Sequence, residues 1–342
     1  MAVIEYDANG NPHNESGKRI AETMSVVELF RLFPDADACY AWLEEARWHG
    51  QPVCPHCGGM DNIRPRKNRP HYYNHKDCRK DFSVTTKTCM HATKRPLQDW
   101  IYVIYTVVTS RKGVSALQMS KELGVQYRTA WHMLHRVREA CGRGDFTLGG
   151  TVEVDETYIG GKEGNKHEVK KLHAGRGAVG KTAVAGVRER GGKVKAQPVK
   201  RTDAHTLIGF VEDAVEPGSV VYTDDAAAYG ALPSIINQYQ HETVAHGRGE
   251  YVRGDAHINS IEAVWAVLKR SIHGTWHHVS PKHLGRYVNE ASFRLNEGNC
   301  EIDTIDRMAE FAAGIGGKKL RYVDLIAPTG ESATPVPVHP GG

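Results

Sequence analysis

The sequence predicts a mixed α/β (α+β) chain in which small helical, metal-held and helix-turn-helix modules precede a larger domain built on a sheet. Three observations carry this expectation. A length of 342 residues exceeds one ordinary domain. Residues 50–90 are crowded with Cys, His, Gly, Lys and Arg between two runs of helical periodicity. Beyond Gly149-Gly150 the texture changes to short alternating strands with helices between and after them. Charged residues at 25% and hydrophobic ones at 40% place the chain among globular proteins, and no apolar run approaches the roughly 18 residues of a spanning helix, so no membrane association is expected. The polar start MAVIEYDANG lacks the layout of a secretion signal. A reducing, cytoplasmic location is therefore expected, with the seven cysteines not paired as disulfides.

Residues 1–23 are expected to be disordered. A first helix is predicted over Met24 to Phe33, with apolar Val27, Leu29, Phe30 and Phe33, stopped by Pro34. A second runs from about Asp37 to Trp48, where Tyr40, Trp42, Leu43 and Ala46 make the apolar stripe, so 24–50 form a small helical unit. Residues 51–90 are too poor in aliphatics to fold on a hydrophobic core alone. Cys54-Pro55-His56-Cys57-Gly58-Gly59 reads as a knuckle, two thiolates two residues apart on a tight turn. His75 and Cys78 repeat the gap, 17 residues further on, which matches a structural zinc ribbon held by Cys54, Cys57, His75 and Cys78. His56 lies inside the knuckle turn, a poorer place for a ligand. Cys39, Cys89, Cys141 and Cys300 have no paired spacing.

From 91 to 148 the pattern is helical again. Trp100, Ile101, Ile104, Tyr105 and Val108 recur at helix spacing, and a helix, a turn at Gly124 and a second helix beginning near Gln126 follow. That layout suits a helix-turn-helix presenting Gln126, Tyr127, Arg128 and His132 outward to double-stranded DNA. Charge agrees with it. Residues 1–50 carry 4 Lys/Arg against 9 Asp/Glu and residues 51–150 carry 17 against 7, while the rest nearly cancel, so the basic surface is concentrated where a polyanion would touch.

In the domain expected over 149–300, the strand TVEVDETYI has period two, placing Glu153, Asp155 and Thr157 on one face and Val152, Val154 and Glu156 on the other. VAGVRER and KVKAQPV form a predicted hairpin around Gly191-Gly192, and a helix is predicted over Ala204 to Ala214. Asp224 stands directly after the strand SVVYT, a position from which a strand end offers a carboxylate. Two carboxylates at adjacent strand ends can hold divalent cations by oxygen, and two such ions can stabilise both the attacking and the leaving oxygens of phosphoryl transfer. A helix from about Asn259 to Ile272 turns Ile258, Ile261, Val264, Trp265, Leu268 and Ile272 to one apolar face. Asn259, Glu262 and Lys269 fall on a narrower stripe beside it, where a carboxylate could bind metal and an ammonium a DNA phosphate. Residues 301–326 make a C-terminal segment, and the proline-rich 327–342 are expected to be a disordered tail.

CPHCGG and DFSVTTKT, then VEVDETYIGG, VVYTDDAAAY, GEYVRGDAHINSIEAVWAVLKR and GTWHHVSPKHLGRYVNEASFRLN, together resemble bacterial insertion-sequence transposases of the zinc-ribbon, ISXO-like DDE group, in order over about 25 to 300. The resemblance implies a ribonuclease-H-like catalytic domain, a catalytic Mg²⁺ or Mn²⁺ centre beside the structural Zn²⁺, and a homo-oligomer acting in the nucleoid on transposon ends and target DNA. Asp155 matches the first catalytic aspartate and Asp224 the second; the third position is Asn259 or Glu262, ahead of Lys269. His75 stands where a ribbon cysteine is usual. The expected mechanism is metal-dependent cleavage at the transposon end and attack of the freed 3′-hydroxyl on target DNA, with Tyr229, Trp276, His277 and His278 along the DNA path. A catalytically inactive zinc-ribbon DNA-binding regulator is the alternative, and a nuclease that stops after the first cut a third.

Overall fold

The computed structural model describes residues 5–6, 12–13, 20–142, 146–161, 167–168, 179–224, 229, 238–244 and 257–328. Most of the expected disordered segments 1–23 and 327–342 lies outside the described residues. Glu5–Tyr6 (β1) and Pro12–His13 (β2) pair antiparallel.

Helix α1, Val26–Leu32, is shorter than its apolar pattern suggests because Ser25 closes it: the Ser25 hydroxyl accepts from Glu28 N at 3.2 Å, and the Glu28 carboxylate accepts from Ser25 N at 2.7 Å. Leu29 and Phe33 are buried and Val27 and Phe30 exposed. Asp35 caps α2, Ala36–Trp48, by accepting from Ala38 N at 2.8 Å. An antiparallel three-stranded sheet follows, β3 (Ile63–Pro65), β4 (Tyr73–His75) and β5 (Lys80–Phe82). It docks on α2 through Trp48, Tyr73 and Phe82, whose ring centroids lie 5.6 to 5.9 Å apart.

Helix α3, Leu97–Thr109, is buried along most of its length. Gly124, at φ +61°, turns the chain between α4 (Ala116–Glu122) and α5 (Tyr127–Cys141), giving the predicted helix-turn-helix outline. The core of these front helices is completed from the far end of the chain by Phe293, Met308, Phe311 and Ile315. No sequence pattern announces that long-range closure.

The larger sheet has the order β10-β9-β6-β7-β8. Strands β6 (Thr151–Ile159), β7 (Thr182–Glu189) and β8 (Val194–Val199) form an antiparallel meander. On the other side of β6, β9 (Val220–Asp224) and then β10 (Gln240–Val244) run parallel to it. Three antiparallel strands flanked by two parallel ones make this a ribonuclease-H-like domain. Helix α6, Ala204–Ala214, covers one face, packing Leu207, Phe210 and Val211 on Val152, Val154 and Val221. Helix α7, Asn259–Ser271, covers the other, packing Ile261, Val264, Trp265 and Leu268 on Val184 and Tyr222. A π-helical turn, Ile272–Trp276, leads to α8 (Pro281–Leu295), which packs against α5 and β8. Helix α9, Thr304–Ala313, packs on α2 and α3, and the short α10, Tyr322–Ile326, ends the described chain. Among the described residues no helix is long and apolar enough to cross a membrane.

One expectation is corrected by the C-terminal segment. Gln126, Tyr127 and Arg128 are exposed as predicted, although Arg128 also donates to the Tyr322 hydroxyl at 2.8 Å, whereas His132 is half-buried with its Nε2 3.4 Å from Leu320 O. The Arg128 and His132 side chains are both engaged within the chain, because the segment around Leu320 and Tyr322 runs along that face of α5.

Candidate active site and metal-ligand cluster

The knuckle is built by backbone. Cys54 N donates to Gly59 O, Gly58 N donates to Cys54 O, and Gly58 sits at φ +77°, where a side chain would be strained. Gly59 has a different reason: a Cβ there would stand 2.6 Å from the His75 ring. In the second half the strained position is filled by Arg79, at φ +56°. The ligand atoms of Cys54, Cys57, His75 and Cys78 all lie within 4.8 Å of one another. His75 presents Nδ1 to the thiols, 3.1 Å from Cys57 Sγ and 3.3 Å from Cys78 Sγ, and turns Nε2 to Asp77 at 3.2 Å. A carboxylate on the far nitrogen is how a metal-bound imidazole is usually oriented. His56 points away, its Nε2 3.3 Å from Asp81 O. The donor set and its closeness suit a tetrahedral Zn²⁺. Cys39, Cys89 and Cys141 are buried, and burial pushes the Cys89 thiol up to about 12, so it is an inert core group.

The carboxylate site is assembled by register. Val154 pairs with Thr223 across the parallel β6–β9 ladder, so the next pair sets Asp155 beside Asp224 at the end of β9. Asp155 faces α7, whose Trp265 Nε1 donates to Asp155 Oδ2 at 2.9 Å. The indole can lie there only because Gly186 is the residue paired with Asp155 on β7: a Cβ on Gly186 would stand 2.5 Å from the Trp265 ring. Gly186→Ala is expected to destabilise the protein by about 1–3 kcal/mol through this overlap, read as a lowered thermal midpoint. An unchanged midpoint would mean the ring moves freely.

Glu153, two residues earlier on the same face, is fully buried and holds the start of α7. Its carboxylate accepts from Ser260 N at 2.7 Å, Ile261 N at 3.1 Å, the Ser260 hydroxyl at 3.1 Å and Arg190 Nε at 3.0 Å. The N-cap residue Ile258 has no side chain able to do this, so the cap is supplied from the sheet. Glu153 touches residues 260–261 and Asp155 touches 265. Two strand residues span roughly 6.6 Å and four to five helix residues roughly 6–7.5 Å, so α7 runs along β6 in matching steps.

Burial is the first cause of the Asp155 carboxyl being pushed up to about 7, with repulsion from Asp224 and Glu156 adding to it. A carboxyl whose folded pKa lies above its unfolded value of ~3.9 carries no penalty below that pH, and its ionisation destabilises the fold progressively as pH rises from about 4 through 7. Asp155→Asn removes that penalty. In magnesium-free buffer its stability relative to wild type should therefore rise between pH 4 and 7, by at most ~4 kcal/mol, then level off. Parallel pH profiles of thermal unfolding check this; a difference independent of pH would mean that Asp155 is not strained by its ionisation.

Sequence reasoning named Asp155, Asp224, Asn259, Glu262 and Lys269. The structure brings the two aspartates together and leaves Asn259, Glu262 and Lys269 on the exposed side of α7, beside Trp265. The positioning roles of Glu153, Trp265 and Gly186 were missed. Shared strand face is the signal that could have found Glu153; nothing local flags Gly186. On the other face of β6, Tyr229 is fully buried and donates to Glu156 at 2.9 Å, so it does not line a DNA surface as expected. Trp276 packs against Tyr287 and donates to Val114 O, whereas His277 and His278 are exposed.

A sheet of this order with paired aspartates at its centre, behind a Cys3His ribbon, has the layout of a ribonuclease-H-like transposase domain. The ISXO2-like transposase domain profile matches residues 147–296 and the transposase zinc-ribbon domain profile residues 34–81, together more than half of the chain, which belongs to this insertion-sequence transposase family. It is 29% identical over 238 residues to an uncharacterized protein in transposable element ISH50 of Halobacterium salinarum, covering 67% of this chain and 80% of that one. It is also 27% identical over 110 residues to an uncharacterized transposase-like protein of Haemophilus influenzae, covering 32% and 85% respectively. Against the Mos1 strand transfer complex the TM-score is 0.29 at 13% identity, covering 62% of this chain and 77% of that chain.

Proposed function

We propose that the chain is an active DNA transposase that cleaves at the ends of its element and joins them to target DNA in a divalent-metal-dependent reaction. The observation that carries this reading is the register that sets Asp155 beside Asp224, where the repulsion between them helps push the Asp155 carboxyl up. Oxygen donors that repel each other are suited to Mg²⁺ or Mn²⁺. Such ions supply charge neutralisation at the attacking and leaving oxygens of a transferring phosphoryl group.

Asp155 and Asp224 would hold the ions with Glu262 as the third carboxylate. At 100° per residue Glu262 lies about 60° around α7 from Trp265 and one turn before it, whereas Asn259 lies about 120° away and nearly two turns before. Since Trp265 reaches Asp155, Glu262 is the nearer candidate at the level of the carboxylates. Lys269 lies about 40° from Trp265, on the same side, where an exposed ammonium can hold a phosphate of the DNA strand. Trp265 fixes the Asp155 carboxylate, and Glu153 fixes the height of α7. The ribbon, with Zn²⁺ on Cys54, Cys57, His75 and Cys78, and the basic helix-turn-helix, with Gln126 and Tyr127 exposed, would supply DNA binding. The reaction requires two ends, for which a homo-oligomer on DNA is the expected assembly.

The test is incubation of the purified full chain with a labelled duplex ending in the element's terminal repeat and an unlabelled target, with Mg²⁺ and with Mn²⁺. Nicked end followed by joined product is expected. Binding with no nick in either metal sinks the enzyme reading in favour of a DNA-binding regulator, and a nick that is never joined leaves a nuclease.

A further inference from the structure

A cavity of about 400 Å³ lies between α3, α7, α8 and α9, away from the carboxylates. Val267 lines it from α7, and at 100° per residue it lies about 200° around the helix from Trp265, so the cavity is on the side of α7 opposite Asp155. Its wall is largely apolar, with Met24, Val108, Val267 and Leu295, and three arginines converge on it, Arg111, Arg294 and Arg307. A mainly apolar cleft of this size with a few converging polar groups has the composition of a small-ligand site.

The arginines are the unusual part. The Arg294 side chain is 6% exposed and Arg307 is 4% exposed, depths at which a guanidinium normally has every N–H satisfied. Arg294 pairs through Nη1 with Glu290, but that buried carboxylate also takes Arg138 Nε at 2.6 Å. Arg294 Nε and Nη2 have no hydrogen-bond partner among the described residues. Arg307 donates from Nη1 to Val108 O at 2.8 Å and from Nη2 to the Thr304 hydroxyl at 2.9 Å, and its Nε is likewise unmatched. Asp303 lies close enough to act on Arg307, and its Oδ1 accepts from Glu22 N at 2.7 Å. Among the described residues, three buried guanidinium groups, Arg138, Arg294 and Arg307, stand here with the exposed Arg111 against the buried Glu290 and the half-buried Asp303. Buried cations in excess, with donors unmet, call for an anion from outside the chain.

We propose that this cavity binds a phosphate monoester carried on an apolar or aromatic body, with the phosphate held by Arg111, Arg294 and Arg307 and the body against Met24, Val108, Val267 and Leu295. A free nucleotide and the 5′-phosphorylated end of a DNA strand both have this chemistry. Guanidinium forks match phosphate oxygens better than any other side chain does. A ligand here touches α3 of the front core and α7 of the catalytic domain at once. The proposal does not depend on the catalytic reading above.

Cys300 gives a direct readout. It lines the cavity, its thiol is exposed, and Arg111 Nη2 lies 3.8 Å from its sulfur. In the zinc-loaded full chain, Cys300 alkylation by iodoacetamide is followed by peptide mass spectrometry with deoxyadenosine monophosphate, with deoxyadenosine, and with short duplexes bearing a 5′-phosphate or a 5′-hydroxyl. Millimolar deoxyadenosine monophosphate or the 5′-phosphorylated duplex should slow alkylation by about fivefold or more, and deoxyadenosine and the 5′-hydroxyl duplex should not. Protection by the nucleotide identifies a free ligand, and protection by the phosphorylated duplex alone a DNA end. Arg111→Gln, an exposed change that leaves the core intact, should remove most of the protection. Equal rates with every probe, protection that ignores the phosphate, or protection unchanged in Arg111→Gln would each overturn the proposal.

Discussion

Asp155→Asn and Asp224→Asn are each expected to lower joining of a labelled transposon end by about a thousandfold or more, while binding to the same end changes by no more than about twofold. Each change removes one anionic oxygen donor of a repelling pair but keeps the shape of the side chain. In Asp155→Asn the amide oxygen could still accept the Trp265 N–H, so the strand and α7 should remain in place. The loss should therefore be of rate and not of fold. Glu262→Gln belongs to the same experiment, and its loss should approach that of the aspartates because it would remove the third carboxylate. Asn259→Ala should cost less than about tenfold. A dead Asn259→Ala beside an active Glu262→Gln would make the triad Asp, Asp, Asn and return Glu262 to the helix surface. Loss of DNA binding in the two aspartate variants would instead mean that the pair has a structural role.

Cys57→Ser is expected to strip about one zinc per chain and to unfold the segment from 51 to about 82, with DNA affinity falling by about tenfold or more. The strands involved are three residues each, too short to hold together by their own ladders. Phe82 and Tyr73 pack on Trp48, but this aromatic contact lies at one end of the ribbon, leaving the two knuckles to the metal. Zinc release measured with a chromogenic chelator, together with limited proteolysis, reads both effects. Retained zinc with protease resistance equal to wild type would remove Cys57 from the ligand set. His56 is not placed to substitute for it, since its ring faces the Asp81 carbonyl.

Much of this protein is legible without a structure wherever chemistry is repeated locally. The two-residue gaps of Cys54, Cys57, His75 and Cys78 prescribe a knuckle pair, and the structure gathers all four within 4.8 Å. Alternation over Thr151–Ile159 tells which side chains share a face, and the apolar stripe of α7 is the stripe that is buried. Helix Ala204–Ala214 lies where its pattern says, because Asp203 caps it and its own periodicity maintains it. These signals are readable because turn chemistry and hydrophobic period act between residues that are close in sequence.

Other features were decided only in three dimensions. That Asp155 and Asp224 are neighbours depends on β9 choosing β6 as its partner over a separation of about seventy residues, and a one-residue slip would turn one carboxylate to the opposite face. That Glu153 caps α7, that Gly186 is empty space for the Trp265 ring, and that Tyr322 occupies Arg128 are all contacts between segments with no shared pattern. The same is true of the arginine-lined cavity, whose walls come from four helices. A sequence declares what each residue can donate, accept or bury within its own turn or strand; which distant groups it meets is settled by packing, where shape and unmet hydrogen bonds select among arrangements that look alike along the chain.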